Sequence, residues 1–435
     1  MVDGRWTRHD GEVNILAALP RPSETRLAVK VTPDALRQIR SGHPWLFEGS
    51  ITSVNRTGAP GDLAVIFDEE RQFRAIGLWD PASPIRIKIL HSGRPVQIDA
   101  AWFRQRIAAA AALRAPLAES AGTASATGTV TTGYRVVHGE NDGLPGFVVD
   151  RYGHVVVVKL YSAAWIPHLA TIIPVLRELV PFASVVVRIA RSMADQPLHG
   201  IESGMSLVGP DIDSPVPFLE HGLHFEADVI HGQKTGHFLD QRENRILVGS
   251  MSMGARVLDV FSCNGGFGVH AAAGGARSVH SIDAAPGAIR NAERNMALNA
   301  HLPAVAACRH ETTIGEAFAT LEKLGESRGR FDIVVVDPPS FAQNAPSIPK
   351  AITAYERLAQ LAVALVERGG LLVQASCSSR VDEATFVRAV HAGAARAGYD
   401  LEEFRRTGHP LDHPIGFREG AYLKALFARP TRSAK

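Results

Sequence analysis

Several features are scarce in this sequence, and each scarcity excludes a class of structure. The chain has three cysteines among 435 residues, and no two of them form a CxxC pair. Three widely spaced cysteines support neither a disulfide framework nor a zinc site, so we expect a reducing cytoplasm and no bound metal. No apolar run reaches the roughly 20 residues of a membrane-spanning helix. The N-terminal residues lack the apolar core of a secretory signal, and we expect residues 1–25 to be a loose extension.

Net charge is also small, at +2 for the whole chain. A balance this close to zero gives no global basic field, so any nucleic-acid site must be a local patch. Apolar residues, in contrast, make up 46% of the chain, which is ample for buried cores. At this length we expect two or three domains.

Turn-forming and low-complexity stretches divide the chain into predicted segments. Short alternating strands indicate a small β-rich domain, which is followed by an Ala-rich helix with a Ser/Thr/Gly/Ala linker and then by mixed strands and helices. The predicted boundaries are 1–25 for the extension, 26–95 for the β-rich domain, 96–133 for the helix and linker, 134–230 for a central α+β domain and 231–435 for a large α/β domain.

Basic and aromatic side chains cluster in the first half of the β-rich domain. Lys30, Arg37 and Arg40 lie close in sequence to Trp45. Such a mixture suits phosphate contacts combined with base stacking. A solvated helix face beside a buried tryptophan explains the same residues equally well.

Strands and helices alternate regularly from residue 256 onward, which predicts a parallel sheet wrapped on both faces. The third strand is predicted over AVAACRH, residues 304–310, which would bury Cys308 in the core. The last two strands, 399–407 and 421–428, are separated only by a loop. We therefore expect them to pair as an antiparallel hairpin at one sheet edge.

The segment DVFSCNGGFG follows the first strand of this domain. A strand, a glycine turn and a helix in this order hold a nucleotide-like ligand at the carboxyl end of the strand. Asp283 ends the second strand and is a candidate for bonding a ribose diol. Neither GxGxxG nor GxxxxGK[ST] is present, so a triphosphate cradle is not indicated.

Two further strand ends carry reactive groups. The fourth strand ends in DPPSF, with Asp337 first, and the fifth ends in SCS, with Cys377 in the middle. In a parallel sheet both ends lie on the same rim as the glycine loop. A carboxylate, a rigid Pro-Pro turn, an aromatic ring and a thiol would therefore surround one ligand.

At this point the sequence resembles a known family, the class I S-adenosylmethionine-dependent methyltransferases. The segments GENDGLPGFVVDRYG, QKTGHFLDQRENR and EGAYLK are similar to those of the RlmI-type enzymes, which form 5-methylcytosine in large-subunit ribosomal RNA. KVTPDALRQIRSGHPWLFEGSI resembles the opening of their N-terminal PUA domain. The resemblance runs from about residue 26 to the C-terminus. It implies a Rossmann-like, mainly parallel sheet with an antiparallel edge hairpin, S-adenosylmethionine as cofactor and ribosomal RNA as partner, and it leaves a homodimer open.

The resemblance also implies roles for individual residues. Cys377 would add to carbon-6 of cytosine and make carbon-5 nucleophilic, while Asp337 would bond the N3/N4 edge of the base. Burial as a small apolar side chain is the ordinary fate of a lone cysteine. The remaining candidates are Asp259, Phe261, Ser262, Asn264, Gly265, Gly266, Asp283, Glu311, Gln241 and Arg242 for the cofactor, and Pro338, Pro339, Phe341, Lys30, Arg37, Arg40 and Trp45 for the RNA.

Two other functions stay open. DPP-aromatic motifs also serve methyltransferases that act on exocyclic or ring nitrogens, which need no thiol, so Cys377 discriminates between the two chemistries. A catalytically inactive RNA-binding protein is the third reading, against which the intact glycine loop, Asp283, Asp337 and Cys377 argue. DPPSF has no second cysteine, so the base that removes the carbon-5 proton is not assigned.

Overall fold

The computed structural model describes residues 15–122, 130–212 and 215–433. The predicted extension and linker therefore lie partly outside the described residues. The chain divides into two compact units, the first within residues 1–112, 142–149 and 154–212, the second within 113–141, 150–153 and 213–435. The domain boundaries given above stay predictions. None of the described helices combines the length and apolar character needed to cross a membrane.

The first unit begins with a six-stranded sheet in the order β2-β6-β5-β4-β1-β3. Only β1 and β4 pair in parallel. Strand β1 alternates buried and exposed residues, and Thr32 with Pro33 starts α2, as the sequence indicates. The elements are α1 (Ile15–Ala18), β1 (Leu27–Val31), α2 (Pro33–Arg40), β2 (Trp45–Phe47), β3 (Ile51–Val54), β4 (Leu63–Phe67), β5 (Phe73–Trp79) and β6 (Ile85–Ser92).

Mixed strands and helices follow. The Ala-rich helix predicted within residues 96–133 is two helices, and the carboxylate of Asp99 caps the first through the amide of Trp102 at 2.9 Å. Strands β9 and β10 pair in parallel, whereas β12 and β13 form an antiparallel hairpin. The elements are α3 (Ala100–Leu113), α4 (Ala115–Gly122), β7 (Gly133–His138), β8 (Phe147–Tyr152), β9 (Val155–Leu160), α5 (Leu169–Leu179), β10 (Ser184–Ile189), β11 (Ser206–Val208), β12 (Val216–Glu220) and β13 (Leu223–Ala227).

The rest of the second unit contains a seven-stranded sheet in the order β16-β15-β14-β17-β18-β20-β19. The strands from β14 to β18 are parallel, and β20 is antiparallel to both β18 and β19. The predicted parallel sheet with an antiparallel edge hairpin is confirmed. The elements are α6 (Arg242–Ser250), β14 (Arg256–Val260), α7 (Gly266–Ala273), β15 (Ser278–Asp283), α8 (Pro286–Leu298), α9 (Pro303–Ala307), β16 (Arg309–Ile314), α10 (Ala317–Glu326), β17 (Phe331–Val336), α11 (Ile348–Val363), β18 (Val366–Ser376), α12 (Glu383–Arg396), β19 (Tyr399–Thr407) and β20 (Lys424–Arg432).

The prediction for the third strand of this sheet is wrong. Residues 303–307 form helix α9, because Pro303 suits the first helical position and the alanines that follow favour helix. Strand β16 starts only at Arg309 and runs to Ile314. Cys308 consequently lies between the two elements and is partly exposed rather than buried in the core.

A hydrophobic core cluster packs against this sheet. It is formed by Val334, Leu372 and neighbouring strand residues packed against Tyr355 and Phe386 of α11 and α12, all of which are essentially inaccessible to solvent. The apolar residues end where the parallel strands end. Polar residues follow at the carboxyl ends of β14, β15, β17 and β18, and this is where the candidate site lies.

Candidate active site

A cavity of about 280 Å³ opens where β14, β15, β17 and β18 end. This is the position at which doubly wound sheets bind ligands. Ten of the residues predicted from the sequence line it: Gln241, Phe261, Ser262, Asn264, Gly266, Asp283, Asp337, Pro338, Pro339 and Cys377.

The loop after β14 has an unusual backbone. Phe261 and Cys263 have φ of 63° and 50°, and Gly265 has φ of 75°. Positive φ is uncommon for residues other than glycine and is often found where the backbone is shaped for a ligand. A Cβ on Gly265 would lie 2.8 Å from the Cβ of Ala292 in helix α8. Glycine is therefore required here both for its conformation and for close helix packing.

Asp283 is held rigidly at the end of β15. One carboxylate oxygen accepts the amide of Cys263 at 2.9 Å, and the other accepts the amide of Ala285, also at 2.9 Å. Each oxygen keeps a lone pair for a further donor. Two fixed acceptors lining the cavity match the two hydroxyls of a ribose.

Asp259 and Ser262 provide polar atoms without partners. One oxygen of Asp259 accepts the amide of Gly268 at 3.1 Å, whereas Oδ1 of Asp259 and Oγ of Ser262 have no hydrogen-bond partner in the described part of the chain. Buried polar atoms normally have a hydrogen-bond partner, so two unpartnered oxygens beside one cavity indicate a polar ligand. Burial, with repulsion from Asp337 and Asp283, raises the pKa of Asp259 to about 7.

Asp337 follows β17 and is fixed by a chain of side chains. The amide of Gln241 donates to its carboxylate at 2.9 Å, and Asn244 donates in turn to Gln241 at 2.6 Å. Thr407 donates to Asn244, also at 2.6 Å. Burial and the nearby Asp240 carboxylate raise the pKa of Asp337 to about 7. Asp337 is thus able to hold a proton near neutral pH.

Lys234 and Asp240 form an ion pair at the cavity wall. Lys234 Nζ and the Tyr422 hydroxyl both donate to Oδ2 of Asp240, at 2.6 and 2.8 Å. Burial alone would raise the pKa of Asp240, but the Lys234 ammonium, His413 and the hydrogen bonds from Lys234 and Tyr422 together hold that pKa well below its usual range. The Lys234 ammonium also lies 4.3 Å from the ring centre of Phe238, which positions it by a cation–π contact.

Cys377 lines the same cavity and lies beside the Pro-Pro turn. Its sulfur is 3.9 Å from the carbonyl oxygen of Pro338. Burial raises the pKa of the thiol to about 11, and the Lys234 ammonium acts in the opposite direction. Asp337 and Cys377 are therefore brought together as the sequence predicts.

Glu311, Arg242 and Phe341 are among the predicted site residues that do not line the cavity. Glu311 lies within β16 and pairs with Arg309 at 2.5 Å, because the strand continues to Ile314. Arg242 is buried away from the cavity in a two-bonded pair with Asp412. Phe341 packs against the ring of Tyr355, with 5.4 Å between ring centres. Their roles toward the cofactor and the base stay predictions.

Asp259 and Gly265 also lie outside the lining, although both shape the loop that forms it.

In the first unit, Lys30 is an exposed residue of β1, Arg37 pairs with Asp34 at 2.8 Å and Arg40 is exposed. The Trp45 ring packs edge-on against His43, with 5.7 Å between ring centres. Their contact with RNA stays a prediction.

The sequence did not indicate two features of this site. Glu316, rather than Glu311, lines the cavity, where it also caps helix α10 through the amide of Ala319 at 2.9 Å. Arg245 lines it too, held by two 2.6 Å bonds to the buried Glu220. The Glu-x-x-Ala spacing after a strand was the one signal for Glu316. Glu220 lies on a separate hairpin, and its pairing is not visible in the sequence.

Comparisons with known proteins agree with this geometry. Residues 142–429 match the model of a family described as S-adenosylmethionine-dependent methyltransferases, and residues 29–92 match that of a PUA-like domain. A protein of Deinococcus radiodurans named ribosomal RNA large subunit methyltransferase is 44% identical over 94% of this chain and 98% of its own length. The ribosomal RNA large subunit methyltransferase I of Klebsiella pneumoniae is 33% identical over 89% of this chain and 94% of its own.

Solved structures show the same fold. A methyltransferase from Streptococcus mutans superposes with a TM-score of 0.76 at 20% identity, covering 92% of this chain and 99% of that one. A methyltransferase structure complexed with SAH gives the same TM-score and identity over 93% and 99% of the two chains. The predicted fold class is confirmed.

Proposed function

The chain belongs to the S-adenosylmethionine-dependent methyltransferase family and carries a PUA-like domain near its N-terminus; from this premise we propose that it methylates carbon-5 of a cytosine in large-subunit ribosomal RNA. The cofactor is S-adenosylmethionine, which supplies a methyl group already activated on a sulfonium. The relatives named as ribosomal RNA large subunit methyltransferases support the substrate, and such a reaction would take place in the cytoplasm. The single observation that carries the carbon-5 chemistry is that Cys377 and Asp337 line one cavity.

The cavity fits the cofactor. Asp283 presents two fixed oxygens to the ribose hydroxyls, and Glu316 lines the same cavity. Ser262 offers an unpartnered oxygen to the amino-acid end, and Asp259 supports the loop by accepting the amide of Gly268. The backbone bend at Phe261–Gly265 lets the main chain approach the ligand closely.

The thiolate of Cys377 attacks carbon-6 of the cytosine, forming a carbon–sulfur bond and placing electron density on carbon-5. Asp337, whose pKa of about 7 keeps part of it protonated, donates its proton to N3 and neutralises the charge that develops on the ring. Once carbon-5 carries the new methyl group, an unassigned base removes the carbon-5 proton, and the electron pair returns to the ring and expels the thiolate. N3 returns its proton to Asp337. Cysteine and ring are both regenerated.

A nitrogen-directed methyltransferase is the second candidate, because DPPSF alone suits both chemistries. Nitrogen already carries a lone pair and needs no covalent adduct. The thiol lining the cavity favours carbon-5 over nitrogen.

The test is nucleoside mass spectrometry of ribosomal RNA from a strain that lacks the gene, after incubation with S-adenosylmethionine and the purified protein. We expect new 5-methylcytidine with the wild type and none with Cys377→Ala. Cys308→Ala is the matched control, because Cys308 lies outside the cavity lining. An N-methylated nucleoside, or full activity of Cys377→Ala, would contradict the proposal.

A further inference from the structure

The EGAYLK segment ends in Lys424, which the reaction above does not use. Lys424 begins β20 and lies directly opposite Ser376 in the antiparallel register with β18. Its side chain is only 5% exposed. A buried ammonium is costly unless its donors are satisfied, so its position calls for an explanation.

The ammonium is bound by three main-chain carbonyls. Nζ of Lys424 donates to the carbonyl oxygens of Ser378, Val381 and Tyr422, the last two at 2.5 and 3.1 Å. An ammonium has three donors, and all three are used. Two of the acceptors belong to the loop that follows β18, immediately after Cys377.

The residue on the other side of Cys377 is anchored as well. The hydroxyls of Tyr355 and Ser376 are 2.8 Å apart, and the amide of Ser378 donates to Ser376 Oγ at 3.3 Å. Cys377 is therefore flanked by two fixed residues. A neutral hydroxyl holds the first, and a cation holds the second.

We propose that Lys424 is a positioning residue that fixes the Cys377 loop and stabilises the Cys377 thiolate with its charge. The use of that thiolate rests on the proposed function. The ionisation of Cys377 itself is measurable without RNA or cofactor, so the two ideas are separable.

Charges of both signs act on the Cys377 thiol. Burial raises the pKa of the thiol, as do the carboxylates of Asp337 and Asp240, whereas the ammoniums of Lys234 and Lys424 lower it. The phenols of Tyr355 and Tyr422 also face the thiol, and burial raises the pKa of both, so they stay neutral at working pH.

Lys424 itself has neighbours that favour its charge. Burial lowers the pKa of the ammonium to about 8, and Asp382, Glu383 and the Cys377 thiolate act against that shift. Burial lowers the pKa of the nearby His409 to about 4, so that imidazole contributes no charge above that pH. Lys424 is consequently a cation below about pH 8 and loses its charge above it.

The test is the pH dependence of alkylation of Cys377 by iodoacetamide, followed by peptide mass spectrometry between pH 6 and 10.5. Lys424→Met removes the charge at nearly constant length. Below pH 8, where the wild-type amine is charged, its loss should raise the thiol pKa by about one unit and slow alkylation about tenfold, and the two profiles should converge above pH 8. Tyr355→Phe is the matched control, because it releases Ser376 without changing a charge, and its thiol pKa should equal that of the wild type. A folded Lys424→Met protein with the wild-type profile would overturn the proposal.

Lys424→Arg provides a second test that holds if the methionine variant does not fold. Arginine keeps its charge throughout the range. Below pH 8 its profile should follow the wild type, and above pH 8 it should alkylate faster, because the wild-type amine has lost its proton. Identical rates throughout would refute a role for the charge. A shifted thiol profile in a protein that forms no 5-methylcytidine would overturn the proposed function and leave the positioning role intact.

Discussion

We predict that two carboxyl groups at the site, those of Asp259 and Asp337, make binding of S-adenosylmethionine sensitive to pH. Burial raises the pKa of Asp259 and of Asp337 to about 7. S-adenosylmethionine carries an ammonium and a sulfonium, and a nearby cation favours an ionised carboxylate. We expect binding to lower these pKa values, release protons and become tighter as pH rises toward 7.

The size of the effect follows from linkage. A cation that lowers one carboxyl pKa from about 7 to about 5 should tighten binding roughly tenfold between pH 5.5 and 7 and release about 0.7 proton at pH 5.5. The range stays below the ordinary pKa of an α-amino group, roughly 8, so the ligand keeps its own charge.

The assay is isothermal titration in pairs of buffers with different ionisation enthalpies, which reports affinity and proton release together. Asp259→Asn removes one of the two titrating groups and should flatten the pH dependence. Affinity that is constant from pH 5.5 to 7, with no buffer dependence of the heat, would refute the reasoning. An absence of binding at every pH would favour an RNA-binding protein without catalysis.

Two further predictions concern stability. Asp412→Ala leaves the buried Arg242 guanidinium without its two-bonded partner, so we expect the free energy of unfolding in urea to fall by about 3–5 kcal/mol. Glu243→Ala removes a half-exposed partner of Arg242 and should lower it by under about 1 kcal/mol, and equal losses would contradict this account. Gly265→Ala strains a backbone with φ of 75° and makes a Cβ clash against helix α8, so it should weaken cofactor binding and lower the melting temperature. Gly254→Ala has a similar φ of 70°, but its Cβ would meet open space, so its melting temperature should fall less. Equal melting temperatures for the two glycine variants would show that packing is not the cause.

The sequence predicted most of the second unit because its pattern is local. Strand ends follow from where apolar runs stop, and parallel topology then brings Asp283, Asp337 and Cys377 to one rim. The third strand was misplaced because a helix-favouring alanine run after Pro303 was read as a strand. That displacement moved the candidate glutamate from Glu316 to Glu311.

Long-range pairs were beyond the reach of sequence patterns. Arg242 and Asp412 are 170 residues apart in sequence. Because the pairing with Asp412 is not visible in the sequence, Arg242 was predicted to bind the cofactor like its neighbour Gln241. The same holds for Arg245 and Glu220, which belong to a helix and to a separate hairpin. Charge pairing inside a fold depends on which elements pack together, and local spacing carries no information about that.

The most direct test of the central claim is to trap the covalent adduct. RNA containing 5-fluorocytidine at the target position should stall the reaction, because carbon-5 then carries fluorine in place of the proton that must leave. With methyl-labelled S-adenosylmethionine we expect a one-to-one protein–RNA complex that carries the label, survives denaturation and yields a Cys377 peptide bonded to the base. Label transfer without any stable complex, or the same complex with Cys377→Ala, would contradict the account.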